Sequence, residues 1–117
     1  MTHEGIVLKG MESGTKLGFP TANILLNDSE VSGVYAGAVL WNGKTYSAAI
    51  YANQRRNILE AHLLNFSENL YGQKISITLL KKIRDDVAFN DELTLIEKIS
   101  EDVQRTREYF ANNTLEI

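Results

Sequence analysis

The chain has 117 residues, a formal net charge of −3 and no cysteine. That length fits one domain able to bury a core without staples, and the missing cysteine excludes a disulfide framework, a thiolate zinc site and a cysteine nucleophile. Basic residues are scattered apart from Arg55-Arg56 and Lys81-Lys82, which argues against nucleic-acid binding, because readers of a phosphate backbone concentrate positive charge on one face. No apolar stretch is long enough to span a membrane, and Met1-Thr2-His3-Glu4 lacks the basic-then-apolar order of an export signal, so no membrane partner and a cytoplasmic location are expected.

Alternating and β-branched apolar runs fill the first two thirds, broken by turn residues at short intervals. This pattern predicts an antiparallel sheet or barrel with strands near 5–9, 23–26, 33–41, 44–51, 58–66 and 74–83. Between the first two lies Gly14-Thr15-Lys16-Leu17-Gly18-Phe19-Pro20-Thr21-Ala22-Asn23, a glycine-flexed loop running into a rigid turn. Glycine lets backbone N–H groups approach an anion, and Pro20, with its fixed φ, holds the next residues in an extended or turn conformation. Thr21 and Asn23 stand two apart, so in extended chain they share a face. A hydroxyl and an amide carbonyl together suit a hard cation such as Mg2+, which takes oxygen ligands and shares them with substrate phosphates. No common phosphate-loop signature is present, so the residues alone leave an anion loop and a plain turn both open.

Asn42-Gly43, between two apolar runs, predicts a type I′ hairpin. In the run from Ile58 to Phe66, alternation puts Glu60, His62, Leu64 and Phe66 on one face and Leu59, Ala61, Leu63 and Asn65 on the other. Glu60 is therefore either at the barrel rim or held partly buried for a purpose. His62, with only His3 as a second histidine, suits a hydrogen-bonded packing role better than a metal site. Phe19, Tyr35, Trp41, Tyr46 and Tyr51 read as barrel filling. From Asp91 to Phe110 the period becomes helical: Leu93, Ile96, Ile99, Val103 and Phe110 form the apolar stripe of a helix packed on the barrel exterior, with Asn90 or Asp91 as its cap. Residues 111–117 read as a fraying tail, and residues 1–117 as a single domain with its core at about 5–110.

Leu17-Gly18-Phe19-Pro20-Thr21-Ala22-Asn23-Ile24, Gly33-Val34-Tyr35, Leu59-Glu60-Ala61-His62 followed by Leu70-Tyr71-Gly72, and Ile83-Arg84-Asp85-Asp86 ending at Phe89 closely resemble, in order, the motifs of the riboflavin kinase (flavokinase) family. The resemblance implies a mainly β fold, a Greek-key-like antiparallel barrel of about six strands with the C-terminal helix outside. It implies phosphorylation of the ribityl 5′-hydroxyl of riboflavin by ATP, giving FMN and ADP, with Mg2+ or another divalent cation. Glu60 would be the general base. Thr21 and Asn23 would bind metal and nucleotide, Gly10, Gly14, Lys16 and Gly18 would belong to a flap over the phosphates, and Arg84 would sit on the flavin side. Asp102 also matches, in a structural role. The chain departs from the family at Ile50-Tyr51-Ala52-Asn53-Gln54-Arg55-Arg56-Asn57, which is shorter and lacks the family's glycine and proline. A monomer is expected, working alone or with a separate FAD-forming adenylyltransferase. The alternatives are a non-catalytic flavin- or nucleotide-binding module on the same barrel and a purely architectural interaction barrel.

Overall fold

The alternating segments form one antiparallel sheet in the computed structural model, which describes residues 1–9 and 18–113. In chain order these are β1 (Thr2–Ile6), β2 (Ala22–Leu25), β3 (Gly33–Trp41), β4 (Lys44–Asn53), β5 (Ile58–Leu63) and β6 (Lys74–Arg84), followed by one helix, α1 (Glu92–Asn112). Strand order is β1-β6-β3-β4-β5-β2, so the first strand lies beside the last and β2 ends up beside β5. The two sheet edges curl together. Leu8 N–H donates to the Asn23 carbonyl at 2.7 Å across the seam, and a Cβ on Gly5 would stand 3.0 Å from Ile24 Cβ. The result is a nearly closed six-stranded barrel.

Its interior is filled by one alternate set of side chains, with Ile24, Val39, Ile50, Leu59, Ile75 and Ile77 wholly removed from water. Near-closure brings the two sheet edges together and buries these branched residues among one another, which is where most of the stabilisation of so small a fold must come from. At the β3–β4 hairpin Asn42 and Gly43 take φ of 52° and 76°, the two positive values of a type I′ turn, and Trp41 faces Lys44 across it.

Three strands differ from the sequence reading by two residues or more at an end. β1 begins and ends earlier, at Thr2–Ile6, because residues 7 and 8 leave the β6 ladder: Val7 exchanges hydrogen bonds with Gly72 and Gln73, and Leu8 turns to Asn23. β5 stops at Leu63 because Asn65 adopts φ of 55°, which ends extended chain. β4 runs on to Asn53, so the divergent segment is a four-residue connection, 54–57, closed by the pair Asn53 and Ile58.

Asp91 caps α1 as its chemistry suggests, accepting from Thr94 N–H at 2.8 Å and from the Thr94 hydroxyl at 2.9 Å. The helix lies on the outer surface over β3, β4 and β6. Its stripe is rotated from the expected one: Leu93 is 74 % exposed, while the most buried positions are the polar Asp102 and Thr106. Leu95, Ile99 and Val103 flank them and face a cleft, not a closed core. Among the described residues no helix is long and apolar enough to cross a membrane.

At Gly37 strand β3 lies tight against β6. The register between them shifts between Ala36 and Gly37, and a Cβ on Gly37 would collide with the Thr78 carbonyl oxygen and with Ile50 Cδ1. Gly37→Ala should therefore cost about 1–3 kcal/mol, the usual penalty for overpacking, read as a lower urea midpoint with unchanged slope; a midpoint equal to wild type would mean that the strands separate freely there.

Candidate functional site

Strand β5 has a neighbour on each side, and its outward positions gather functional groups from both. Leu59, Ala61 and Leu63 point into the core, so Glu60 and His62 point outward. On one side Glu60 is paired in register with Asn23 of β2; on the other it is paired with Tyr51 of β4. Thr21 precedes β2 on the face of Asn23. The structure thus brings the threonine, the asparagine and the carboxylate to one patch.

The turn leading to Thr21 is pinned by β5 itself. His62 Nδ1 is 2.8 Å from the Pro20 carbonyl, which makes that nitrogen the protonated donor, and the ring meets Phe19 edge-on at 5.7 Å between centroids. His62 therefore has the packing role its sequence context suggests. Gly18 takes φ of 88°, which only glycine adopts without strain, with nothing within 4 Å of where a Cβ would be. Gly10, Gly14 and Lys16 lie outside the described residues.

Two oxygens in this corner are buried without a partner among the described residues, Thr21 Oγ1 and Asn23 Oδ1. Each unsatisfied polar group costs about 1–3 kcal/mol, so two on one face call for an explanation of the kind a ligand supplies. The chemistry of the pair, one hydroxyl and one amide carbonyl, fits a hard divalent cation sharing its shell with phosphate oxygens. Among the described residues there is no cluster of three histidine or acidic side chains that could serve as an independent metal centre.

The Glu60 carboxylate is largely withdrawn from water, and burial pushes its pKa up; a hydrogen bond from Asn53 and the charge of Arg56 act in the opposite direction. Asn53 Nδ2 donates to Glu60 Oε2 at 3.1 Å, while its own Oδ1 accepts from Arg56 N–H at 3.3 Å. The connection carrying Asn53 is fastened to the barrel by Gln54, whose amide donates to the Asp28 carbonyl at 2.7 Å and to the Val31 carbonyl.

A cleft of about 510 Å3 extends from this corner between the sheet and α1. Glu60, Thr21 and Arg56 line its polar end; Val34, Ala49, Val87, Phe89, Ile99 and Val103 line its apolar part. Arg84 stands in the wall with its guanidinium engaged: Nε and Nη2 each donate to Asp102 at 2.8 Å, Nη1 reaches the Asp85 carbonyl at 3.1 Å, and Phe89 lies under the cation at 5.8 Å. Its carboxylate partner is thus on the helix, not the adjacent Asp85 or Asp86, and Asp102 has the structural role its position suggested. Tyr51 donates to Asp86 at 3.0 Å and accepts from Arg55 at 3.1 Å, tying the 85–90 segment to β4. Phe19 and Tyr51 line the cleft and are not barrel filling, whereas Tyr35, Trp41 and Tyr46 pack against the core as expected. Sequence reasoning also missed Asn53, Arg56 and Asp86; the alternation of β4 would have placed Tyr51 and Asn53 beside Glu60 had the strand pairing been known.

These features define a class: a small antiparallel barrel with an external cleft, acidic and oxygen-rich at one end and apolar at the other. The family model described as flavokinase, riboflavin kinase, matches residues 1–110, and the chain belongs to that family. A bifunctional riboflavin kinase/FMN adenylyltransferase of Buchnera aphidicola subsp. Schizaphis graminum is 38 % identical over 91 % of this chain. The chain spans 38 % of that relative's length. Among solved structures, riboflavin kinase from Trypanosoma brucei matches 97 % of this chain and 82 % of its own at 28 % identity and a TM-score of 0.66. A Streptococcus pneumoniae structure described as a macrolide-efflux protein matches 91 % of this chain and 38 % of its own, at 26 % identity and a TM-score of 0.77.

Because folding raises the pKa of Glu60, the folded state binds the proton more tightly than the unfolded state; stability falls as pH rises through the raised pKa, and the ionised carboxylate weakens the fold at neutral pH. Glu60→Gln, neutral at every pH, should raise the melting temperature of the metal- and nucleotide-free protein at pH 7, with the gain disappearing as the pH is lowered and Glu60 itself becomes protonated. Calorimetry of both proteins across that range checks it; a variant less stable at pH 7 contradicts the assignment of burial as the dominant effect.

Proposed function

We propose that the protein is a riboflavin kinase, transferring the terminal phosphoryl group of ATP to the ribityl 5′-hydroxyl of riboflavin. Family membership supports the reaction class, and one observation supports the placement of the site: Thr21 Oγ1 and Asn23 Oδ1 are buried without a partner among the described residues, and Asn23 stands opposite Glu60 in the β2–β5 register. Thr21 Oγ1 and Asn23 Oδ1 would hold Mg2+ or another divalent cation, which would supply charge neutralisation on the ATP phosphates.

Glu60 accepts the proton of the 5′-hydroxyl as that oxygen forms its bond to phosphorus and the bond to the ADP oxygen breaks. Its raised pKa suits this task, since a more basic carboxylate takes a proton more readily, provided that the working pH keeps it ionised. The apolar part of the cleft, between Val34 and Ala49 on the sheet and Ile99 and Val103 on the helix, is suited to a flat heteroaromatic ring, with the ribityl chain directed toward Glu60. Arg84 serves the flavin side by holding α1 and the 85–89 segment as one wall. His62, through Pro20, keeps Thr21 in place. Gly10, Gly14, Lys16 and Gly18 complete the nucleotide side in this proposal.

Incubation with riboflavin, ATP and Mg2+ followed by chromatography should show FMN and ADP in equal amounts. Glu60→Gln should lower turnover by about two to four orders of magnitude, the scale of a positioned base, and leave nucleotide binding near wild type. Thr21→Ala and Asn23→Ala should weaken Mg2+-nucleotide binding together with rate. Flavin or nucleotide retention without FMN would instead assign a non-catalytic binding module.

A further inference from the structure

The divergent 51–57 segment carries a residue to which the kinase reading gives no role. Asn53 is 7 % exposed at the last position of β4, diagonal to Glu60 across the β4–β5 pair. Its amide is fixed at both ends. Arg56 N–H donates to Oδ1, so the NH2 group must be the end that faces Glu60, and it donates to Oε2. Gln54, the next residue, anchors the same turn to two backbone carbonyls of the 28–31 segment. Among the described residues this is the sole hydrogen bond on the Glu60 carboxylate.

We infer that Asn53 is a positioning residue for the phosphoryl-transfer step: by occupying Oε2 of Glu60 from a rigid turn, it fixes the rotation of the carboxylate and leaves Oε1 as the oxygen that receives the proton of the substrate hydroxyl. The inference rests on the kinase reading. A free carboxylate turns about its terminal torsion in a broad, two-fold well, so a single donor on one oxygen is enough to select an orientation. A proton acceptor must lie within hydrogen-bond reach of the hydroxyl it serves, and misplacement on the ångström scale is costly in rate. Asn53 touches neither the hydroxyl nor the phosphate in this scheme and acts through Glu60 alone.

The test compares wild type, Asn53→Ala, Asn53→Asp, Glu60→Gln and the double variant Asn53→Ala/Glu60→Gln in steady-state FMN formation. Asn53→Ala should lower kcat by about ten- to a hundredfold, with KM for riboflavin and for Mg2+-ATP within about twofold of wild type. Asn53→Asp keeps the shape and the acceptor for Arg56 N–H but removes the donor, so it should lose at least as much kcat as Asn53→Ala. Asn53→Asp also sets a second carboxylate against Glu60, so its loss combines the missing donor with like-charge repulsion, and Asn53→Ala carries the test of the donor itself. In the Glu60→Gln background, Asn53→Ala should change the residual rate by less than about twofold, because residues acting through one group are not additive.

Equal and independent losses in the two backgrounds, a loss confined to KM, or an active Asn53→Asp variant would each overturn the role. So would failure of both single variants to fold, which would make Asn53 architectural. Wild type that forms FMN while Asn53→Ala keeps full kcat defeats this inference alone; wild type that forms none defeats the kinase reading and, with it, this one.

Discussion

The two-residue period of one strand sets up everything else. β5 is paired along its whole length with β4 and over residues 58–61 with β2, and its inward residues, Leu59, Ala61 and Leu63, are held in the core. A slip of one residue would exchange them for Glu60 and His62 and put a carboxylate into the barrel interior, a desolvation penalty the fold could not absorb. The register is therefore locked by the hydrophobic core, and the functional face inherits that precision. Both flanking strands are locked in the same way, by Ala22 and Ile24 in β2 and by Ile50 and Ala52 in β4. The corner containing Thr21, Asn23, Asn53 and Glu60 is thus the outer side of a rigid, apolar construction.

Around that corner the polar groups divide into satisfied and unsatisfied sets, and the division separates structure from chemistry. Arg84 and Asp102 form a forked, mostly buried pair that joins β6 to α1, and Thr106 bonds back to the Asp102 carbonyl at 2.8 Å. The guanidinium and both carboxylate oxygens are engaged there, as a buried ion pair requires. The pair holds the helix at the distance that keeps the cleft open. By contrast, among the described residues Thr21 Oγ1 and Asn23 Oδ1 have no hydrogen-bond partner, and Glu60 is desolvated with no ion pair. Strain of this sort is retained where a ligand relieves it.

Much of this is legible in the sequence, for physical reasons that differ from element to element. The Asn42-Gly43 hairpin, the Asp91 cap and the outward face of Glu60 follow from local chemistry, because turn type, capping and alternation involve residues close in the chain. Thr21 and Asn23 can be paired with each other by the same rule. Anything fixed by strand order is out of reach of such rules. Asn23 and Glu60 lie far apart in the chain, and only barrel closure makes their strands neighbours. Arg84 meets Asp102 across 18 positions, whereas local reasoning favours the carboxylates beside it. The β1 boundary differs because residues 7 and 8 keep strand-like bonding at the seam while leaving the ladder. On α1, Leu93 fits the apolar period, but the first turn overhangs the sheet and faces water.

The divergent connection between β4 and β5 shows how a rigid wall can be built without proline. Proline stiffens a loop by restricting a backbone torsion, and this segment has none. It is instead a short turn in which Asn57 takes the left-handed conformation, φ 55°, that asparagine tolerates better than most residues. Side-chain amides tie it down, Gln54 to the 28–31 backbone and Asn53 to Glu60. Polar ties of this kind carry direction as well as rigidity, because an amide has a donor end and an acceptor end. Loss of torsional restriction in the backbone is thereby compensated at the one place where the orientation of a carboxylate matters, which is why the shortened loop and the base belong to a single unit of structure.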